Sequence, residues 1–406
     1  MNIIYIAYSC NPYNGTEDKL GWYTPYYASK NNNVTIITKK ESRESIEKFI
    51  DENRCTNISV YYIDIPVVYK KLYSGNFYSG RQNVWHKRAF LKAKEICETQ
   101  KIDVIHQINP VEFRSIGPYG KIKDVRFVCG PIGGGEYIPN NLKKYVTGAG
   151  RLVEFIRLVA NYYYKCKYKM NGRFAECDTL IFANSETRDF LIPSAKRDRY
   201  RILTELGSLT KKIAIQHNSN ETFSILAGGR LIYRKGFDLL FDAIEIIPKE
   251  YEFKIVLVGN GPLYAHLKNR INDSEMLKNR VSMIGKVPHM EMDRLYRSSN
   301  LFIMPSLRET TGSVILEALE NGIPVITANL FGAKTILDKS CGILYDWEYD
   351  TPAYQTLANA IEKCIENKNN IFNMKQNCFK KAVSLSFENK VKQYQAIYME
   401  FNRKTD

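Results

Sequence analysis

Between residues 2 and 328, short apolar runs rich in Val, Ile and Phe alternate with helical patterns, and no other feature constrains the fold as tightly. NIIYIAY, NVTIITK, NISVYYID, IDVIHQI, RFVCG, TLIFAN and YRILTEL form a first series; FSILAG, FKIVLVG, VSMIG, LFIMPS and IPVITA form a second after residue 220. Most of these runs are continuous rather than alternating, the pattern of parallel strands covered on both faces. Between them, GFDLLFDAIEII places Phe237, Leu240, Phe241, Ile244 and Ile247 on one helical stripe. Repetition of strand, helix and strand builds α/β parallel sheets with right-handed crossovers. The 406 residues exceed what one core usually holds, so two Rossmann-like domains are expected. The polar stretch SLTKKIAIQHNSNET, residues 208–222, separates the two series. The expected division is 1–207, 208–385, and a last helix in 386–406 that returns to the first domain. Open parallel sheets bind ligands outside the carboxyl ends of their strands, so a cleft faced by both sheets is the expected site.

Hydrophobic residues make up 44% of the chain, enough for packed cores and against disorder. Lys and Arg total 58 against 43 Asp and Glu, a net charge of +15 that favours anionic partners: nucleotides, phosphates, anionic lipid or nucleic acid. The nine cysteines are scattered singly, with no ligand spacing for zinc, which points to reduced thiols in a cytoplasmic chain. The opening MNIIYIAYSC lacks a basic leader and reads as a first core strand rather than a signal peptide. No run approaches the roughly 20 apolar residues of a membrane span.

The chemistry is expected in loops that follow strands. After FSILAG, the loop GRLIYRKG carries Arg230 and Lys235 into a helix start beside glycines, an arrangement suited to a pyrophosphate. Solvated loop charges are the plainer alternative for such cations. After FKIVLVG, the glycines of NGP permit a tight turn, a weak signal by itself. After LFIMPS comes LRETTG and then SVILEALENG. Gly312 and Ser313 stand where that helix begins, with its free N–H groups and positive dipole end. Glu309 lies just before it, where a carboxylate can accept two sugar hydroxyls. Glu317 falls by helical angle with Ser313, Glu320 and Asn321 on a polar side, so spacing alone leaves it either a ligand contact or a solvated charge. In the first half, Gly15 and Thr16 precede a helix and can face phosphates. His106 sits near a strand end, where a hydrogen-bonded structural role is the commoner one. The run GPIGGGE puts Gly133 and Gly134 directly after a strand, which favours backbone contact with a ligand or a flexible loop.

Taken as a set, GGRLIYRKGFD, VLVGNGP and PSLRETTGSVILEALENGIPVI, in this order, resemble the family 4 glycosyltransferases, retaining enzymes of GT-B architecture with two Rossmann-like domains. SCNPYNGTEDKLGW, HQINPVEFR and GPIGGGEYIP are similar to a subgroup met in bacterial surface-polysaccharide synthesis. The resemblance implies that Glu309 contacts donor-sugar hydroxyls and that Glu317 binds the ribose. It implies that Arg230 and Lys235 hold the diphosphate and stabilise the leaving group, helped by Gly312 and neighbouring N–H groups. It also implies that Gly15 lets the first domain approach the phosphates and that His106 contacts the transferred sugar. Thr311 stands where many members carry Phe or Ser, and Leu206-Gly207 where many have Asn-Gly. No metal and no cofactor are implied, the nucleotide-sugar being a substrate, and no Asp-x-Asp stands at a strand end. The expected mechanism is front-face displacement with retention. UDP is the expected nucleotide by family frequency, with base contacts from backbone near Lys286–Pro288.

Residues 67–94 and 151–169 interleave Lys and Arg with Tyr, Phe and Trp. Such surface suits an anionic membrane or an undecaprenyl-pyrophosphate-linked saccharide acceptor, on the inner face of the cytoplasmic membrane. It suits nucleic acid equally by composition, and the apolar part is equally compatible with ordinary core. The rival activities are a sugar-nucleotide epimerase, a phosphorylase, for which no pyridoxal lysine is marked, and a non-catalytic nucleic-acid-binding protein. The last requires charge spread along one face rather than cations placed singly after strands, so no nucleic-acid partner is expected.

Overall fold

The computed structural model describes residues 1–72, 78–193, 200–209, 222–347 and 351–400. The stretch 208–222, expected as the boundary, lies mostly outside the described residues, as do residues 73–77 of the basic-aromatic segment. The chain forms two compact units: Met1–Gly135 with Arg157–Gly207 and Leu385–Asp406, and Glu136–Ile156 with Ser208–Ser384. Residues 136–156, expected in the first domain, therefore go with the second. The cause is apolar: Ile138, Leu142, Tyr145 and Val146 bury themselves in the second unit's core.

In the first unit the strands are β1 (Asn2–Ala7), β2 (Asn33–Lys39), β3 (Ile58–Ile63), β4 (Val104–Asn109), β5 (Arg126–Ile132), β6 (Thr179–Phe182) and β7 (Arg201–Ile202). They form one sheet in the order β3-β2-β1-β4-β5-β6-β7, and every pairing is parallel. Strands β1 and β4 are buried at nearly every position, as their continuous apolar runs require. YRILTEL contributes only two residues to the sheet, because Thr204 and Glu205 leave the ladder toward the linker.

The second unit contains β8 (Phe223–Gly228), β9 (Phe253–Val258), β10 (Val281–Gly285), β11 (Leu301–Met304), β12 (Val325–Ala328) and β13 (Gly342–Tyr345). Their order is β10-β9-β8-β11-β12-β13, again parallel throughout. β13 is a four-residue strand, GILY, that periodicity did not isolate. The helix Phe237–Ile246 buries the stripe read from its sequence. Its carboxyl end is closed by Arg280, whose guanidinium donates to the carbonyls of Ile244, Ile247, Pro248 and Tyr251 at 2.6–3.2 Å. Those carbonyls have no partner within the helix, so a cation there satisfies them and complements the dipole.

In each sheet the winding direction reverses between two central strands, β1 and β4 in one unit, β8 and β11 in the other. A crevice opens at such a reversal because adjacent loops run off to opposite faces. Among the described residues, no helix is long and apolar enough to cross a membrane.

Candidate active site

In the second unit the reversal point brings together the loops after β8 and β11. The first of these loops is fixed by close backbone approach. Gly259 after β9 has φ 148°, and a Cβ on it would lie 1.9 Å from the carbonyl oxygen of Gly229. Leu231 N–H donates to the Asn260 carbonyl at 3.0 Å, and Leu263 N–H to the Leu231 carbonyl at 3.1 Å. Gly236, with φ 70°, starts the helix Phe237–Ile246; a Cβ there would lie 2.0 Å from the Pro305 carbonyl oxygen. Leu307 N–H donates to the Arg234 carbonyl at 2.8 Å, so the two loops are stitched together on both sides.

This stitching sets Lys235 against Glu309. The ammonium lies 2.5 Å from Glu309 Oε1, with side-chain exposures of 15% and 10%. Ser306 Oγ donates to the same oxygen at 3.2 Å. Both partners use Oε1; among the described residues Glu309 Oε2 has no hydrogen-bond partner. An ammonium carries three donors, so Lys235 keeps N–H groups for a further acceptor. Arg230, at the mouth of the same loop, is exposed, and its guanidinium forms no ion pair among the described residues.

Gly312 adopts φ 91° as the N-cap of the helix Ser313–Glu320. Its missing side chain matters, since a Cβ would sit 2.9 Å from Met304 Sδ. Thr311 is buried, and Gly332 N–H donates to the Thr310 carbonyl at 3.0 Å, tying this turn to the loop after β12. A narrow cavity runs beneath it, lined by Met304, Ser306, Glu309, Thr311, Thr327 and Phe331 among others. Glu317 is half-buried and accepts from Tyr296 Oη at 3.3 Å. Burial, and then the Glu317 carboxylate beside it, push the Tyr296 hydroxyl well above its usual range, which keeps it a donor.

Three contacts were not readable in sequence. Arg308, next to Glu309, pairs with Glu154 at 2.8 Å. Tyr233, next to the Lys235 loop, donates to the same Glu154 oxygen at 2.9 Å. Tyr296 on Glu317 is the third. Glu154 and Tyr296 come from distant helices with no local signal, whereas Ser306, three residues before Glu309, lay inside the motif.

The first-unit candidates fare differently. Gly15 has φ −64° and nothing within 4 Å of where a Cβ would stand, so neither conformation nor packing demands glycine there. Thr16 is half-buried as the first residue of the helix Thr16–Ala28. Asn109 fixes that loop, donating to the carbonyls of Ser9 and Glu17 at 2.6 and 3.1 Å and accepting from Ser9 N–H at 3.0 Å.

His106 cannot contact a sugar in this arrangement. It is 0% exposed, and both ring nitrogens are taken: Nε2 lies 2.6 Å from the Gly130 carbonyl, Nδ1 2.6 Å from Tyr398 Oη. A carbonyl only accepts, so Nε2 carries the proton and Nδ1 accepts from Tyr398. Burial pulls its pKa down to about 4. The glycine run is likewise occupied. Gly133 exchanges backbone hydrogen bonds with Val111 and Phe113, and the Gly134 carbonyl accepts from Arg157 and Asn161, both at 2.8 Å. A Cβ on Gly135 would lie 2.9 Å from Thr187 Cα. Close packing accounts for Gly135, and a φ of 95° for Gly134, while the backbone of Gly133 and the carbonyl of Gly134 are engaged within the protein.

Two doubly wound parallel-sheet units define a GT-B fold. The fold is shared over the whole length with an Anabaena protein, Alr3699/HepE, solved in complex with UDP: TM-score 0.62, 16% identity, covering 98% of this chain and 100% of that one. WaaG, described as a glycosyltransferase involved in lipopolysaccharide biosynthesis, aligns at TM-score 0.55 and 13% identity over 98% of this chain and 99% of its own. Residues 210–382 match the family model described as "Glycosyl transferases group 1". Among curated proteins, the alpha-monoglucosyldiacylglycerol synthase of Streptococcus pneumoniae is 27% identical over 292 residues, 68% of this chain and 63% of that protein. The phosphatidylinositol N-acetylglucosaminyltransferase gpi3 subunit of Schizosaccharomyces pombe is 30% identical over 151 residues, 37% of this chain and 33% of that protein. The chain thus spans less than two thirds of the length of these curated relatives.

Proposed function

We propose that the chain is a retaining, metal-independent hexosyltransferase of the family 4 kind. Its donor is a nucleotide-diphosphate sugar, with UDP the first nucleotide to try. Its acceptor is an undecaprenyl-pyrophosphate-linked saccharide in capsule, exopolysaccharide or O-antigen assembly, met on the inner face of the cytoplasmic membrane. The observation that carries the reading is the Lys235–Glu309 pair at the β8/β11 reversal, with a spare carboxylate oxygen and spare ammonium N–H groups. Lys235 and the exposed Arg230 suit a diphosphate, Glu309 Oε2 suits a sugar hydroxyl, and the helix N-terminus at Gly312 and Ser313 adds N–H donors. Glu317, oriented by Tyr296, is assigned to the ribose hydroxyls. Support for a nucleotide donor comes from the Anabaena neighbour solved with UDP-glucose.

In the proposed reaction the acceptor oxygen bonds to the anomeric carbon on the face from which the diphosphate departs. The bond from that carbon to the diphosphate oxygen breaks, the electron pair leaves with the diphosphate, and the acceptor's hydroxyl proton passes to it. Arg230 and Lys235 stabilise the charge that grows on the leaving group, which is where preorganised cations act most strongly. The test is thermal stability against UDP, GDP, ADP, dTDP and CDP without metal. A ligand at a hundredfold excess over its dissociation constant stabilises by about 2.7 kcal/mol. A shift with one of them, abolished in Arg230→Ala, is the expected result; no shift with any overturns the assignment of Arg230, Lys235 and Glu317.

A further inference from the structure

The helix Ala149–Met170 is built inside out. Glu154, Arg157, Asn161, Lys165 and Tyr168, spaced i, i+3, i+7, i+11 and i+14, form the stripe that a helix normally fills with apolar residues. Each is turned inward and engaged: Glu154 by Arg308 and Tyr233, Arg157 and Asn161 by the Gly134 carbonyl, Lys165 by the Phe190 carbonyl, Tyr168 by the Arg114 carbonyl. The outward face is apolar. Leu152, Val153, Phe155, Ile156, Val159 and Tyr163 are 61%, 49%, 63%, 55%, 53% and 59% exposed. Polar groups held inside oblige this face to stay outside, so no rotation of the helix about its axis can hide it.

We infer that this face lies in the surface of an anionic lipid bilayer. Exposed apolar side chains in one continuous stripe need a covering of matching chemistry. The charges at its edges are basic: Arg151, Lys167 and Lys169 are exposed, while the helix's one acidic residue, Glu154, is paired and turned inward. The chain's net charge is +15. A second copy laid on this face would bring like charges together, whereas anionic headgroups attract them. With 22 residues the helix extends about 33 Å, and lying flat its apolar side chains reach the headgroup boundary while its basic ones stay among the phosphates. Glu154, on the opposite side of this helix, holds Arg308 beside Glu309, so the docking helix and the sugar-contacting loop share a residue contact. The inference deepens the reading of a membrane-borne acceptor and rests on it for its biological sense.

The experiment uses the full chain, co-sedimented with vesicles of pure phosphatidylcholine or of phosphatidylcholine with phosphatidylglycerol. The variant is Phe155→Asp with Val159→Asp, both at exposed positions. The expected result is binding to the anionic vesicles only, weakened at least tenfold in the variant, with UDP stabilisation unchanged. Absence of binding to anionic vesicles overturns the inference, as does a wild-type dimer that the variant splits without loss of lipid binding. Lost vesicle binding with intact UDP stabilisation removes the docking face and leaves the donor site standing. Intact vesicle binding with no response to any nucleotide does the reverse.

Discussion

The Lys235–Glu309 pair permits a quantitative test of what organises the proposed donor site. At 2.5 Å, the gross attraction is about 7 kcal/mol at an effective dielectric of about 20. Desolvating two nearly buried ions cancels most of it. Removing one partner is different, because the other is left as an unpaired buried charge at a cost of about 3 kcal/mol or more. Lys235→Met and Glu309→Leu are therefore each expected to destabilise the second unit by about 3 kcal/mol. The double variant is expected to be no worse than either single, a coupling of about 3 kcal/mol. Amide hydrogen exchange across Phe223–Gly228 and Leu301–Met304 reads this, since those strands report the second unit alone. Glu309→Gln supplies the functional arm: it is expected to retain stabilisation by UDP and lose the additional stabilisation by UDP-sugar over UDP. Two results refute the reasoning. Strictly additive single effects mean that the ions do not depend on each other. Single effects below about 0.5 kcal/mol mean that both are effectively solvated.

Arg230→Ala should change stability by less than about 0.5 kcal/mol, as for an exposed residue with no ion pair, yet abolish nucleotide-induced stabilisation in the same thermal assay. Gly259→Ala meets both a positive φ and the Gly229 carbonyl, and is expected to lower stability by about 3 kcal/mol or more, read from the urea midpoint of the second unit. His106 links stability to acid. Its folded pKa of about 4 lies below the ordinary value of 6.5, so the unfolded state binds more protons in that window and stability falls as pH drops from 6.5 toward 4. The loss from this group is roughly 3 kcal/mol when complete. His106→Gln, which keeps a donor for the Gly130 carbonyl, should flatten the slope of urea midpoint against pH.

The strands were legible because parallel strands buried on both faces must be apolar without interruption, as IIYIA and FKIVLV are. β13 escaped because four residues, GILY, carry too little pattern to separate from a loop. The placement of Lys235, Glu309 and Gly312 in loops after β8 and β11 could be read because those loops directly follow apolar strand runs. Glu154 could not, since its partners lie 79 and 154 residues away along the chain. His106 is the same lesson from the other side: its residue type suited a sugar contact, but its ring is saturated by Tyr398, 292 residues later. The glycine run was ambiguous in sequence for a physical reason, because closeness to Thr187 at Gly135 and a positive φ at Gly134 demand the same small residue that a ligand would.

The tyrosine that saturates His106 also fixes an order of events during synthesis. Tyr394 and Tyr398 are buried in the first unit against β4, on a helix that begins at Phe387. The second unit is complete by Ser384. At about 10 residues per second a ribosome takes roughly 20 s to travel from Gly207 to that helix. Throughout that time the half made first lacks the side chains that close its core, while the half made second is itself still being made and is complete only at Ser384. A nascent chain arrested just past Ser384 carries a complete second unit and a first unit that still lacks Tyr394 and Tyr398.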